Sequence, residues 1–187
     1  MKRVLIAGLL GSVVLFIWGF ISWAALPWHN ATMPSLPNEE AVVESLRANV
    51  NTTAVYQFPG MPADDAESQQ AWTEKYKRGP YGILIYIAQG ADPMAPQPFI
   101  GGFVLSLLTA TLAAYLLSLG ANKLTGYSQR VIFVTLLGVF AALVSHFSMW
   151  NWMHVPTGYS LVMAADLVIG WLLAGLVIAW RIKPAMA

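Results

Sequence analysis

Histidine, tryptophan and one aspartate are the residues of this chain whose chemistry goes beyond packing, and they cluster toward one end of its apolar segments. The stretch 140–170 carries His146, Trp150, Trp152 and His154, then Asp166, the only acid inside a long apolar run. His29 follows Trp28 just past the first apolar run. Three imidazoles and a carboxylate have the donor chemistry for zinc, copper or iron. His29, His146, His154 and Asp166 are therefore candidate metal ligands, although no His-x-x-His pair fixes their geometry and metal binding is not the expectation. Trp28, Trp150 and Trp152 could wall a site for a quinone, pigment or lipid tail. The plainer reading makes them anchors at the membrane interface, where amphipathic rings collect. A carboxylate about two turns below that interface costs several kcal/mol unless it is protonated or paired, so Asp166 needs a partner. His146 lies five residues before Asn151 and Asp166 eight after Gly158. Their depths then differ by about three residues, roughly 4.5 Å at the helical rise. The spacing predicts a structural intramembrane pair of His146 with Asp166, ahead of a proton relay.

Little else in the sequence suggests catalysis. No nucleophile elbow, phosphate loop or zinc-helix signature is present, and no catalytic residue is assigned. Cysteine is absent, which removes disulfides, thiolate chemistry, iron–sulfur clusters and Cys-ligated zinc together. A formal net charge of +1 gives no basic surface for nucleic acid. No intrinsic cofactor is expected.

The elements that must position these residues are membrane helices. Hydrophobic residues make up 57% of the chain and charged ones 10%, against roughly 25% charged in soluble domains. Residues 1–26 begin Met1-Lys2-Arg3 and then run uncharged from Val4 to Leu26. That run suits the roughly 20 residues of a membrane span and exceeds the usual 7 to 15 of a signal-peptide core, so it is read as an uncleaved first transmembrane helix. Three further spans are expected at 99–119, 131–149 and 159–180 within the segment 99–187. Gly138, Ala142, His146 and Trp150 recur every fourth residue in one of them, and Asp166, Gly170 and Ala174 in the next. Gly8 with Ser12, and Ala110 with Ala114 and Ser118, give the other two spans similar stripes, which let helices approach closely in lipid.

Between the first two spans, residues 27–98 are polar and hold every acid except Asp166. Asn38 before Glu39 and Glu40 reads as a helix start, with the helix running over 38–48. Residues 52–58 are rich in β-formers and end at Pro59-Gly60, and 81–89 form an apolar stretch too short to span. These two are expected to pair as strands. Between them, 64–77 reads as a polar helix anchored by Trp72 and Tyr76 at i, i+4. Asp64, Asp65 and Glu67 lack the glycine and spacing of a calcium loop and read as a solvated helix start.

Charge then orients the chain. Lys2, Arg3, Lys123, Arg130, Arg181 and Lys183 all flank one side of the spans with no acid among them, whereas Arg47, Lys75, Lys77 and Arg78 on the other side are outnumbered by acids. The positive-inside bias places both termini in the cytoplasm. The fold expected is an all-α membrane protein: a four-transmembrane-helix bundle with a small α/β extracytoplasmic cap between helices 1 and 2. Its location would be the bacterial inner membrane, with the cap periplasmic.

Several motifs look alike beyond this chain. Trp18-Gly19-Phe20-Ile21-Ser22-Trp23, Pro27-Trp28-His29, Tyr56-x-Phe58-Pro59-Gly60-Met61-Pro62, Arg78-Gly79-Pro80-x-Gly82 and the hairpin Trp150-Asn151-Trp152-Met153-His154-Val155-Pro156-Thr157-Gly158-Tyr159 resemble a group of bacterial inner-membrane proteins with no assigned function. There is a fainter likeness to auxiliary subunits of photosynthetic or respiratory complexes. The resemblance implies architecture and no catalytic residue. The expected function is that of a non-catalytic accessory subunit, whose partners are membrane lipids and other membrane-protein subunits. The alternative is a small membrane enzyme, or a metal-, quinone- or pigment-binding protein, using the His/Trp/Asp cluster.

Overall fold

The computed structural model describes residues 1–184; the last three residues of the 99–187 segment lie outside it. The chain is mostly helical and forms two compact units, Met1–Pro34 with Met94–Ala187, and Ser35–Pro93.

In the first unit, four helices are long and apolar enough to cross a membrane: Lys2–Ala25, Pro96–Gly120, Tyr127–Met153 and Thr157–Arg181. The last three contain the expected spans and run past them at one or both ends. Helix α5 (Pro96–Gly120) starts on a proline, whose missing N–H is one the first turn would leave unbonded anyway. The Gln129 side chain accepts the Gly126 N–H at 3.0 Å, which starts α6 (Tyr127–Ala142) early. Helix α1 (Lys2–Phe20) packs on α5 and on α8 (Thr157–Arg181), and α6 packs on α8.

Small residues bring these helices together, as packing in lipid requires. A Cβ on Gly8 would sit 2.7 Å from the Thr111 Cα, and one on Gly138 would sit 2.5 Å from the Trp171 Cβ. Ala7, Ala110, Ala114, Leu117, Val134, Ala174 and Ile178 are fully buried, while Leu105, Leu108, Ile132 and Phe140 face outward. Arg130, expected only as a topology charge, is itself buried. Its guanidinium donates to the carbonyls of Leu124 (3.0 Å), Thr125 (2.7 Å) and Ala179 (3.3 Å). The Ala179 carbonyl lies in the last turn of α8, where a cation is favoured.

The second unit is small. Helix α3 (Glu39–Asn49) is capped by Asn38, whose side chain accepts the Ala41 N–H at 3.4 Å. Strand β1 (Ala54–Phe58) pairs antiparallel with β2 (Gly82–Tyr86), both shorter than expected. Between them runs α4 (Ala66–Arg78). Its N-cap Asp65 accepts the Ser68 N–H at 2.8 Å, and the Trp72 and Tyr76 rings meet at 5.2 Å. The Asp65 hydrogen bond to the Ser68 N–H, which only the carboxylate form makes well, holds its carboxyl below the usual range.

Candidate functional site

The polar centre of the first unit is built where α1 ends. There the helix widens into a π turn, Ile21–Ala25, in which the Leu26 N–H reaches back five residues to the Ile21 carbonyl at 3.1 Å. The next donor in that ladder would be residue 27, which is proline and has no N–H. The Ser22 carbonyl is thus left without a backbone donor. Trp28 supplies one: its indole Nε1–H lies 3.2 Å from the Ser22 carbonyl and 3.1 Å from the Ser22 Oγ. Pro27 also begins the short helix α2 (Trp28–Thr32), which packs on α8 and carries His29 inward.

His29 is 1% exposed, and its Nε2 lies 3.0 Å from the Ser22 Oγ and 3.6 Å from the Asp166 Oδ2. Trp23 stacks on the imidazole with centroids 3.8 Å apart and planes 8° apart, and Trp28 meets it edge-on at 5.5 Å. The Trp18 indole donates to the Asp166 backbone carbonyl at 3.0 Å and meets Trp28 edge-on at 6.1 Å. A Cβ on Gly170 would sit 2.9 Å from the Trp18 Cδ1, so the glycine one turn below Asp166 makes room for that ring. Three segments, the end of α1, α2 and the N-terminal half of α8, are tied by these groups.

Ser, His and Asp together suggest nucleophilic catalysis, but the geometry is that of a clamp. A relay needs the imidazole to face the serine with one nitrogen and the carboxylate with the other. Here both Ser22 and Asp166 approach Nε2, while Nδ1 is buried without a hydrogen-bond partner. The Ser22 Oγ is further occupied by the Trp28 indole. The imidazole is stacked on Trp23 and almost fully buried. The contacts tie the end of α1, α2 and α8 together at Nε2 and do not form a serine–histidine–aspartate relay across the two ring nitrogens.

Other residues singled out by spacing lie around this clamp, His146 within electrostatic range of the Asp166 carboxylate. The carboxylate expected to face His146 makes its ion-pair contact with His29. His146 lies in a second π turn, Leu143–Phe147, and is half-buried. After it, α7 (Ser148–Met153) ends at His154, which takes a left-handed backbone at φ 53°. The Trp150 indole donates to the Thr157 hydroxyl at 3.0 Å, and Trp152 is 74% exposed. Among the described residues no group of three or more His, Asp or Glu side chains is arranged to hold a metal ion. Of the four candidate ligands, His29 and Asp166 are in direct contact. Trp28 belongs to the clamp, as a donor to Ser22.

Ser22, Trp18 and Trp23 have roles here that spacing did not single out. The available signal was Pro27, which removes a backbone donor at the end of α1 and favours a turn that redirects His29. No protein-family model matches the chain, and no curated protein or solved structure shows significant similarity to it.

Proposed function

We propose that this chain is a non-catalytic integral protein of the bacterial inner membrane and serves as an accessory subunit of a larger membrane complex, photosynthetic or respiratory by the fainter resemblance. In this reading the four long helices form a bundle with both termini cytoplasmic. The Ser35–Pro93 unit is then a periplasmic cap, placed there by the charge asymmetry of the flanking segments.

One observation carries the non-catalytic part: Ser22 and Asp166 both meet the buried His29 at the same ring nitrogen, so no serine–histidine–aspartate relay is formed. His29 and Asp166 meet at one nitrogen and one carboxylate oxygen, and Arg130 donates to three backbone carbonyls. Such residues in a membrane mark function by default, and here their contacts leave them a structural role. The subunit part rests on the resemblance, and the outward apolar faces of α5 and α6 are open to lipid or a neighbouring helix.

The test is purification of the tagged chain from its native membrane in mild detergent, with mass spectrometry of co-purifying proteins and elemental and absorption analysis of the same sample. Stoichiometric partners, with no metal or chromophore assigned to this chain, are expected. A lone chain carrying stoichiometric metal or pigment would overturn the proposal.

A further inference from the structure

At the opposite end of the helices from the clamp, a cavity of about 280 Å³ opens between the start of α1, the end of α5 and the residues just after α8. Arg3, Lys183 and Asn122 line it, over an apolar floor of Val4, Ala121 and Ile182. Those three floor residues are 8%, 5% and 4% exposed, so the floor is packed protein, whereas Arg3 and Lys183 are exposed. Neither cation is in an ion pair among the described residues.

Among the described residues of this unit no acidic side chain pairs with them. Between residues 1 and 34 and from 94 onward the only carboxylate side chain is Asp166. It stands seventeen positions before Lys183 along the chain, roughly 25 Å at the helical rise. The start of α1 adds the positive end of a helix dipole. The ends of α5 and α8 lie nearby and bring negative ends, but Arg130 already occupies the Ala179 carbonyl of α8. Two cations therefore face a cavity in which no described acidic side chain offsets their charge.

The surroundings decide which anion fits. Leu5 and Leu119, next to the lining residues in sequence, are 58% and 67% exposed, so the walls continue as apolar helix surface in the direction of the hydrocarbon. A ligand with a phosphate head and acyl chains uses both surfaces, and inorganic phosphate uses only one. Basic pockets between membrane helices hold anionic lipid heads in this way. We propose that this cavity binds the phosphodiester head of an anionic phospholipid, with Arg3 and Lys183 as the charged contacts and the acyl chains on the α1 and α5 faces. The inference rests on the membrane reading of the four helices and is independent of the accessory-subunit role.

Native mass spectrometry of the full chain, purified in detergent and exchanged with phosphatidylglycerol, phosphatidylcholine or inorganic phosphate, tests it. One phosphatidylglycerol per chain is expected at concentrations where phosphatidylcholine and phosphate leave the chain bare. The double variant Arg3→Gln/Lys183→Gln should need roughly tenfold more lipid for the same occupancy. Lys2→Gln/Lys123→Gln removes the same charge outside the cavity and should bind like the parent. Equal retention of phosphatidylcholine, equal binding of inorganic phosphate, unchanged binding by the cavity variant or equal loss in the control variant would each overturn the proposal. A chain that stays in solution without detergent would instead remove its membrane premise.

Discussion

At the residue scale the decisive pairing is His29 with Asp166. Spacing along α6 and α8 favoured His146, because helical depth was the only coordinate the sequence offered. Pro27 and the short helix after it supply a competing histidine from a segment that reads as loop, and its imidazole reaches the carboxylate at 3.6 Å. A double-mutant cycle separates the two. His29→Ala and Asp166→Asn are expected to couple by about 1 kcal/mol or more, as contacting residues do, and His146→Ala with Asp166→Asn markedly less. Reversible unfolding in micelles reads both cycles. A larger coupling to His146 would return the pair to the one spacing implied.

Asp65 illustrates the opposite case, a residue whose role was legible as part of a helix start. Its carboxyl is held low by the Ser68 N–H, so its folded pKa lies below its unfolded one. The stability it adds is then complete above the ordinary carboxylate range and is lost as pH falls through the lowered folded value. Wild type should accordingly exceed Asp65→Ala in melting temperature at neutral pH, with the gap closing in acid. A gap that widened in acid would contradict the assignment.

At the element scale, the π turn at Ile21–Ala25 stands on one indole. Replacing Trp28 with Phe keeps an aromatic ring beside His29 but removes the donor to the Ser22 carbonyl and hydroxyl. The cost is expected to be about 1–3 kcal/mol, the range for leaving buried polar groups unbonded, and hydrogen exchange at residues 21–26 should quicken. Exchange unchanged in the variant would mean the turn is held by something else. Helix contacts give a second expectation. Gly138→Val forces a branched side chain against Trp171 and should destabilise by about 1–3 kcal/mol, as overpacking does. Gly101→Ala, with nothing within 4 Å, should be nearly neutral. The four long helices and their glycine stripes were legible because lipid selects for length, hydropathy and small residues, all local properties. The π turn at Ile21–Ala25 was not, because it forms where Pro27 removes a backbone donor and the Trp28 indole replaces it. Arg130 was missed similarly: its charge was visible, but its carbonyl partners belong partly to α8, 49 residues away.

At the scale of the whole molecule, one end carries the Ser22–His29–Asp166 clamp and the other an acid-free set of cations. If positive-inside orientation holds, a reporter fused after Lys183 is active in the cytoplasm and one inserted between Glu74 and Arg78 is active outside it. The opposite pattern would invert the topology. The central claim is that the clamp holds helices together and performs no chemistry. It is tested most directly by purifying wild type and Asp166→Asn in parallel from native membranes and measuring folded chain, partner stoichiometry and bound metal or pigment for each. The clamp predicts less folded, assembled chain for the variant, with partner and cofactor content per folded chain unchanged. A variant that folds and assembles at wild-type levels but loses a bound group would show that Asp166 serves a ligand.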